Sequence, residues 1–104
     1  MTDDSTRAAA THAEGLRLAE AGDLDGAWRH LASAVEQDRT RAEAWNDLGV
    51  VLFARGDHYA AEGAFRHAID LPGENLDALY NLAALLEQDG RSADTPPVYR
   101  RLRS

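Results

Sequence analysis

The chain has 104 residues, enough for one small domain with one core, and it contains no cysteine, so disulfide frameworks, thiolate metal sites and cysteine nucleophiles are excluded. Eighteen acids face eleven basic residues, all of them arginine, for a formal charge of −7. That balance repels phosphate backbones and anionic headgroups, so neither nucleic acid nor membrane is expected among its partners.

No apolar run approaches the ~20 residues that span a bilayer. The acidic start Met1-Thr2-Asp3-Asp4-Ser5 lacks the cationic flank and apolar centre of a secretory leader. The cytoplasm is the expected compartment.

Twenty alanines and a single isoleucine favour helix throughout, because alanine loses no side-chain entropy there while β-branched residues do. After an N-terminal arm of residues 1–7, a first helix is predicted over roughly 6–21, ended by Gly22-Asp23. Glycine fits the left-handed position past a last helical turn, and Asp23 fits the N-cap of a second helix over 24–38. Thr40-Arg41-Ala42-Glu43 has the form of a capping box opening a third helix over 41–55. Gly56-Asp57 repeats the first corner and leads to a fourth helix over 58–71. Pro72-Gly73-Glu74-Asn75 stops that helix and offers Asn75 as cap of a fifth over 76–89. Past Gly90-Arg91, Thr95 is placed to cap a shorter sixth helix over 95–103 that begins at Pro96-Pro97, since proline is tolerated only in a first turn. The fold class is therefore all-α, with six helices forming three hairpins.

Gly22, Gly56 and Gly90 stand 34 residues apart, and the chain aligns with itself at that offset. Gly15, Gly49 and Ala83 fall together, as do Leu18, Leu52 and Leu86, then Ala27 and Ala61, and Ala34 and Ala68. Small residues recur where helices would approach closely, while Leu31, Trp45, Phe65 and Tyr99 are expected to fill the wider gaps between units. Trp28 lies outside these positions, either between units or over an exposed edge.

The unit Ala42–Asn75 resembles the tetratricopeptide repeat, with Trp45, Leu48, Gly49 and Leu52 matching its first helix and Ala61, Phe65 and Ala68 its second. The flanking units, about 8–41 and 76–104, match less fully, and the third is truncated. The resemblance implies a right-handed α-α superhelix in a single domain over 8–104, because one hairpin of this length cannot bury its apolar stripe alone.

The histidines His12, His30, His58 and His67 have neither the helical spacing nor the carboxylate companion of a zinc site, and are read as solvated helix surface. No metal, no cofactor and no catalytic residue is expected, so the protein is read as no enzyme. Arg100, Arg101 and Arg103 are expected in a last helical turn, where cations complement the dipole.

In the family the chain resembles, the first helices of successive repeats line a concave groove that holds a peptide or partner segment. Carried over by position, the groove comprises His12, Leu16 and Glu20, with Ala9 and Ala13, from the first unit. The second unit gives Glu43, Asn46, Asp47, Val50 and Phe53, with Ala54, and the third Asp77, Tyr80, Asn81, Ala84, Glu87 and Gln88. Five of these are acids and none is an arginine, so the partner is expected to be a basic or neutral protein or peptide. The resemblance also implies that the grip on a free C-terminal carboxylate found in one chaperone-binding subfamily is missing, since Glu43 and Asp77 stand where cations would be needed. The alternative expectation is a structural protein that self-associates into homo-oligomers through third-repeat leucines left uncovered by the short last unit.

Overall fold

The computed structural model describes residues 4–97 and 99. Those residues form five α-helices, α1 (Asp4–Glu20), α2 (Leu24–Gln37), α3 (Ala42–Ala54), α4 (His58–Asp70) and α5 (Leu76–Gln88), followed by one 3-10 turn over Ser92–Asp94, with no strand among them. α1 begins at Asp4, so residues 4–7, expected as an arm, form its first turn. Asp4 complements the helix dipole there, and Ala8 is fully buried one turn further on. The count of six helices is not met. The sixth, expected over 95–103, falls for the most part outside the described residues, as do Arg100, Arg101 and Arg103.

All three glycine corners have the expected left-handed backbone, with φ of 87° at Gly22, 88° at Gly56 and 73° at Gly90. Each closes its helix in the same way. Gly22 donates to Ala19 O at 3.0 Å and Asp23 to Leu18 O at 2.9 Å, and the same two bonds recur at Gly56-Asp57 and Gly90-Arg91.

The N-terminal caps follow the sequence less closely. Asp23 accepts from Gly26 N at 2.9 Å as expected. Thr40 forms no capping box: its hydroxyl donates to Asp38 Oδ1 at 2.6 Å, and Arg41 occupies the N-cap of α3 without a side-chain bond. Asp57 and Asn75 hold the N-cap positions of α4 and α5, but neither side chain caps. Arg55 takes the Asp57 carboxylate at 2.8 Å, and the Asn75 amide donates back to Leu71 O at 2.8 Å. In each case a partner outside the helix's first turn outcompetes its amides.

α1 packs on α2 and α3 on α4 as two hairpins, α2 on α3 and α4 on α5 join successive units, and α1, α3 and α5 touch along one side. The result is an elongated helical solenoid of 46 × 28 × 18 Å. Ala27, Ala34, Ala61 and Ala68 are fully buried, which is where the repeat alignment needs small side chains. Gly49 shows why: a Cβ there would stand 2.5 Å from the Phe65 ring, and one at Gly15 would stand 2.8 Å from Leu31. Thr95, at the position of Ala27 and Ala61, is buried as well.

Between units, polar side chains span the junctions. Arg55 lies 4.5 Å over the Trp28 ring and pairs with Asp25 at 3.1 Å, so Trp28 sits at a seam between units. His58 meets Asp89 at 3.1 Å. The third-unit leucines expected to be uncovered are not: Leu79, Leu82, Leu85 and Leu86 are at most 2% exposed.

Candidate functional site

Three helices of a stacked array present their outer turns on one face, and the residues expected to line the groove come from α1, α3 and α5. Leu16, Val50 and Tyr80, one from each helix, are exposed by 38%, 45% and 45%. Each lies on a helix whose other side is packed, so the apolar contact they offer is open to solvent.

Two hydrogen bonds cross this face from helix to helix. His12 Nε2 donates to Asp47 Oδ2 at 2.7 Å, and Asn81 Nδ2 donates to Asn46 Oδ1 at 2.9 Å. Both pairs are 35 residues apart, one more than the repeat, so they occupy equivalent positions at the two junctions. They are rungs of one ladder joining α1 to α3 and α3 to α5. The ladder corrects the reading of His12 as solvated surface, because the ring is only 6% exposed. It also removes Asp47 from the free carboxylates of the groove.

Several of the expected groove residues gather in two cavities. One, about 120 Å³, is lined by Val50, Phe53, Asn81 and Ala84, with Leu85 and Phe65 contributing apolar surface. Phe65 belongs to α4 and, although only 2% exposed, its ring forms part of the cavity wall, packed against Gly49, whose missing side chain gives the ring room. Phe53 is partly engaged already, with its ring stacked 4.5 Å from that of His58. The other cavity, about 340 Å³, opens between the N-termini of α3 and α5 and is lined by Glu43, Asn46 and Asp77 together with Glu74 and Asn75.

Glu74, Asn75 and Phe65 are contributions the repeat register does not reveal, since two lie in a connecting loop and one on a second helix. Glu20, Glu87 and Gln88 sit exposed at the ends of α1 and α5, apart from both cavities. Tyr80 meets the Tyr99 ring edge-on at 5.4 Å. A larger cavity of about 570 Å³, between α4 and the segment Ala93–Pro97, contains none of the expected groove residues. Among the described residues no group of three or more His, Asp or Glu side chains could hold a metal ion, and no helix is long and apolar enough to cross a membrane.

No protein-family profile matches the chain. Individual proteins do. The chain is 42% identical over 60 residues to tetratricopeptide repeat protein 7A of Homo sapiens, a match covering 58% of this chain and 7% of that one. It is 33% identical over 81 residues to the PEX5-related protein of Homo sapiens, covering 78% and 13%. It is also 30% identical over 71 residues to the BBSome complex member BBS4 homolog of Drosophila melanogaster, covering 68% and 15%. The chain belongs to the tetratricopeptide repeat family. Its described residues supply two helical hairpins, α1–α2 and α3–α4, and a fifth helix packed on the second hairpin. It spans between 7% and 15% of the length of these relatives, and therefore corresponds to a small part of each.

Proposed function

We propose that this tetratricopeptide repeat array is a non-enzymatic interaction module that holds a basic or neutral peptide, or a segment of a partner protein, on the face formed by α1, α3 and α5. The observation that carries the reading is the alignment of Leu16, Val50 and Tyr80 on one face, three of the five large apolar side chains exposed among the described residues, the other two being Trp28 and Tyr59. Two cavities lined from α3 and α5 offer depth, and Asn46 and Asn81, only half-buried, retain donors and acceptors for a peptide backbone. The fly relative is by name a member of a complex, which agrees with a part in assembly by contact. The acids at Glu43 and Asp77 speak against a ligand that enters by its C-terminal carboxylate.

The test uses the exposed positions. Val50→Asp and Tyr80→Asp change the face without touching the core, whereas replacing Asp47 would orphan the buried His12 and confound folding with binding. A photoreactive group at position 50 should capture partner segments from the host lysate, and the Tyr80→Asp variant should lose those adducts. Identical adducts from both proteins would show that the face is not the binding surface.

A further inference from the structure

Resting on the groove reading above, the two cavities can be treated as one composite site. We infer that it selects a segment in which an arginine or lysine and an aliphatic residue stand four positions apart, the cation between the N-termini of α3 and α5 and the aliphatic side chain against Val50, Phe53 and Ala84.

Electrostatics sets the place of the cation. Glu43, Glu74 and Asp77 all line the larger cavity, no arginine lines either cavity, and among the described residues no cation bridges these three carboxylates. The two helix N-termini at the same mouth oppose a cation, but each amounts to only about half a positive charge. Three carboxylates outweigh them and leave about two negative charges. An ammonium or guanidinium group is the complementary ligand, and Asn46 and Asn75 supply neutral oxygens to the rest of its donors.

Shape sets the place of the aliphatic side chain. A cavity of about 120 Å³ is well below the ~300 Å³ of a small-molecule site, and its walls are mostly apolar, so it suits one aliphatic side chain. The spacing follows from helix geometry. On α3 the acidic cavity is lined by residues 42, 43 and 46 and the apolar cavity by 50 and 53. Their centres are some seven to eight residues apart, or about 11 Å at 1.5 Å per residue. In an extended segment only side chains at even separations face the same way, and two residues span about 7 Å while four span about 13 Å. Four is the better fit, and the length of arginine or lysine absorbs the difference.

The experiment uses fluorescein-labelled glycine-serine peptides carrying one arginine and one leucine, separated by one to six positions, in both chain orders. Anisotropy titrations at about 50 and about 500 mM salt read the affinity and its screening. A separation of four, in at least one order, should bind about fivefold tighter than three or five. The triple variant Glu43→Gln, Glu74→Gln, Asp77→Asn should weaken that peptide about fivefold to tenfold and flatten its salt dependence, in keeping with exposed pairs worth a few-fold each. Ala84→Gln, at an exposed helical position, should fill the apolar cavity and erase the spacing preference while leaving the thermal melt unchanged.

Equal affinity at all separations, unchanged binding by the triple variant, or no binding by any peptide overturns the four-residue rule. Amide shifts on NMR titration separate this failure from that of the groove itself. Changes confined to α3 and α5 without spacing preference defeat only the rule. Changes lying wholly away from α1, α3 and α5 defeat both.

Discussion

Arg91 grips Glu62 with two guanidinium nitrogens, at 2.7 and 3.2 Å, and so fastens the turn after α5 to the middle of α4. The carboxylate side chain is only 15% exposed, and Arg66, one turn along the same helix, donates to it at 3.0 Å. This is the best-formed ion pair between repeats, because the bidentate geometry fixes both partners at little further entropic cost.

The Arg91 bond is the main reason the Glu62 carboxyl is held below its ordinary range; burial opposes it and Arg66 reinforces it. A carboxyl depressed in the folded state stabilises the fold above its unfolded titration near ~4.3 and loses that contribution as pH falls through the lower folded value. Glu62→Gln is therefore expected to cost about 1–2 kcal/mol at pH 7, which lowers the melting temperature by about 4–8 °C per kcal/mol. The difference from the parent should shrink as both are melted at successively lower pH below about 4. A constant gap down to strongly acidic solution would mean the pair carries no folding free energy.

Gly49 and Gly63 give opposite expectations for the same substitution. Alanine at Gly49 places a methyl carbon 2.5 Å from the Phe65 ring, and that ring, 2% exposed, has nowhere to move. A loss of about 1–3 kcal/mol is expected from overpacking. Gly63 is helical, exposed and has nothing within 4 Å of its would-be Cβ, so alanine there should add about 0.5–1 kcal/mol by restricting the unfolded chain. Urea titrations of the two variants read both signs against one parent. Like signs would contradict the helix crossing.

Which of these relations can be seen in the sequence depends on what enforces them. The corners at Gly22, Gly56 and Gly90 are legible because only glycine enters φ near 80° freely, and the repeat makes the same demand three times. Fully buried Ala27, Ala34, Ala61 and Ala68 are legible for the same reason, since close helix approach leaves no alternative side chain. The caps are not. Thr40, Asp57 and Asn75 have the right chemistry at the right places, yet Asp38, Arg55 and Leu71 O take their side chains, and such a competition is settled by tertiary geometry. The groove positions come with the repeat register, but His12 burial depends on stacking between units. Its one sequence signal is the offset of 35, which sets His12 opposite Asp47 and Asn46 opposite Asn81.

That ladder yields a third expectation. The His12–Asp47 rung includes a carboxylate and a nearly buried ring, so its coupling in a double-mutant cycle with alanine should reach about 1.5–3 kcal/mol. The Asn46–Asn81 rung is neutral and half-exposed, and about 0.5–1.5 kcal/mol is expected. Cycles measured by denaturant unfolding settle the order. A coupling near zero at His12–Asp47 would remove the rung as a junction element.

Asn75 provides the last. Its φ of 49° lies in the left-handed region, and its amide reaches back to Leu71 O at 2.8 Å, so the loop between α4 and α5 is held by backbone tolerance and chiefly that hydrogen bond, with a longer contact to Gly73 O at 3.5 Å adding little. Glycine at this position keeps the tolerance and loses only the bond, at a cost of about 0.5–1.5 kcal/mol. Valine loses the bond and must also enter a conformation that costs an L-residue about 1–2 kcal/mol more. The valine variant should melt below the glycine variant by about 4–8 °C per kcal/mol of that difference. Because Asn75 also lines the acidic cavity, the order of the two variants in peptide affinity should follow their order in stability only if the loop's shape sets the cavity mouth. Equal melting temperatures would place Asn75 outside the left-handed region and the cavity with a different rim.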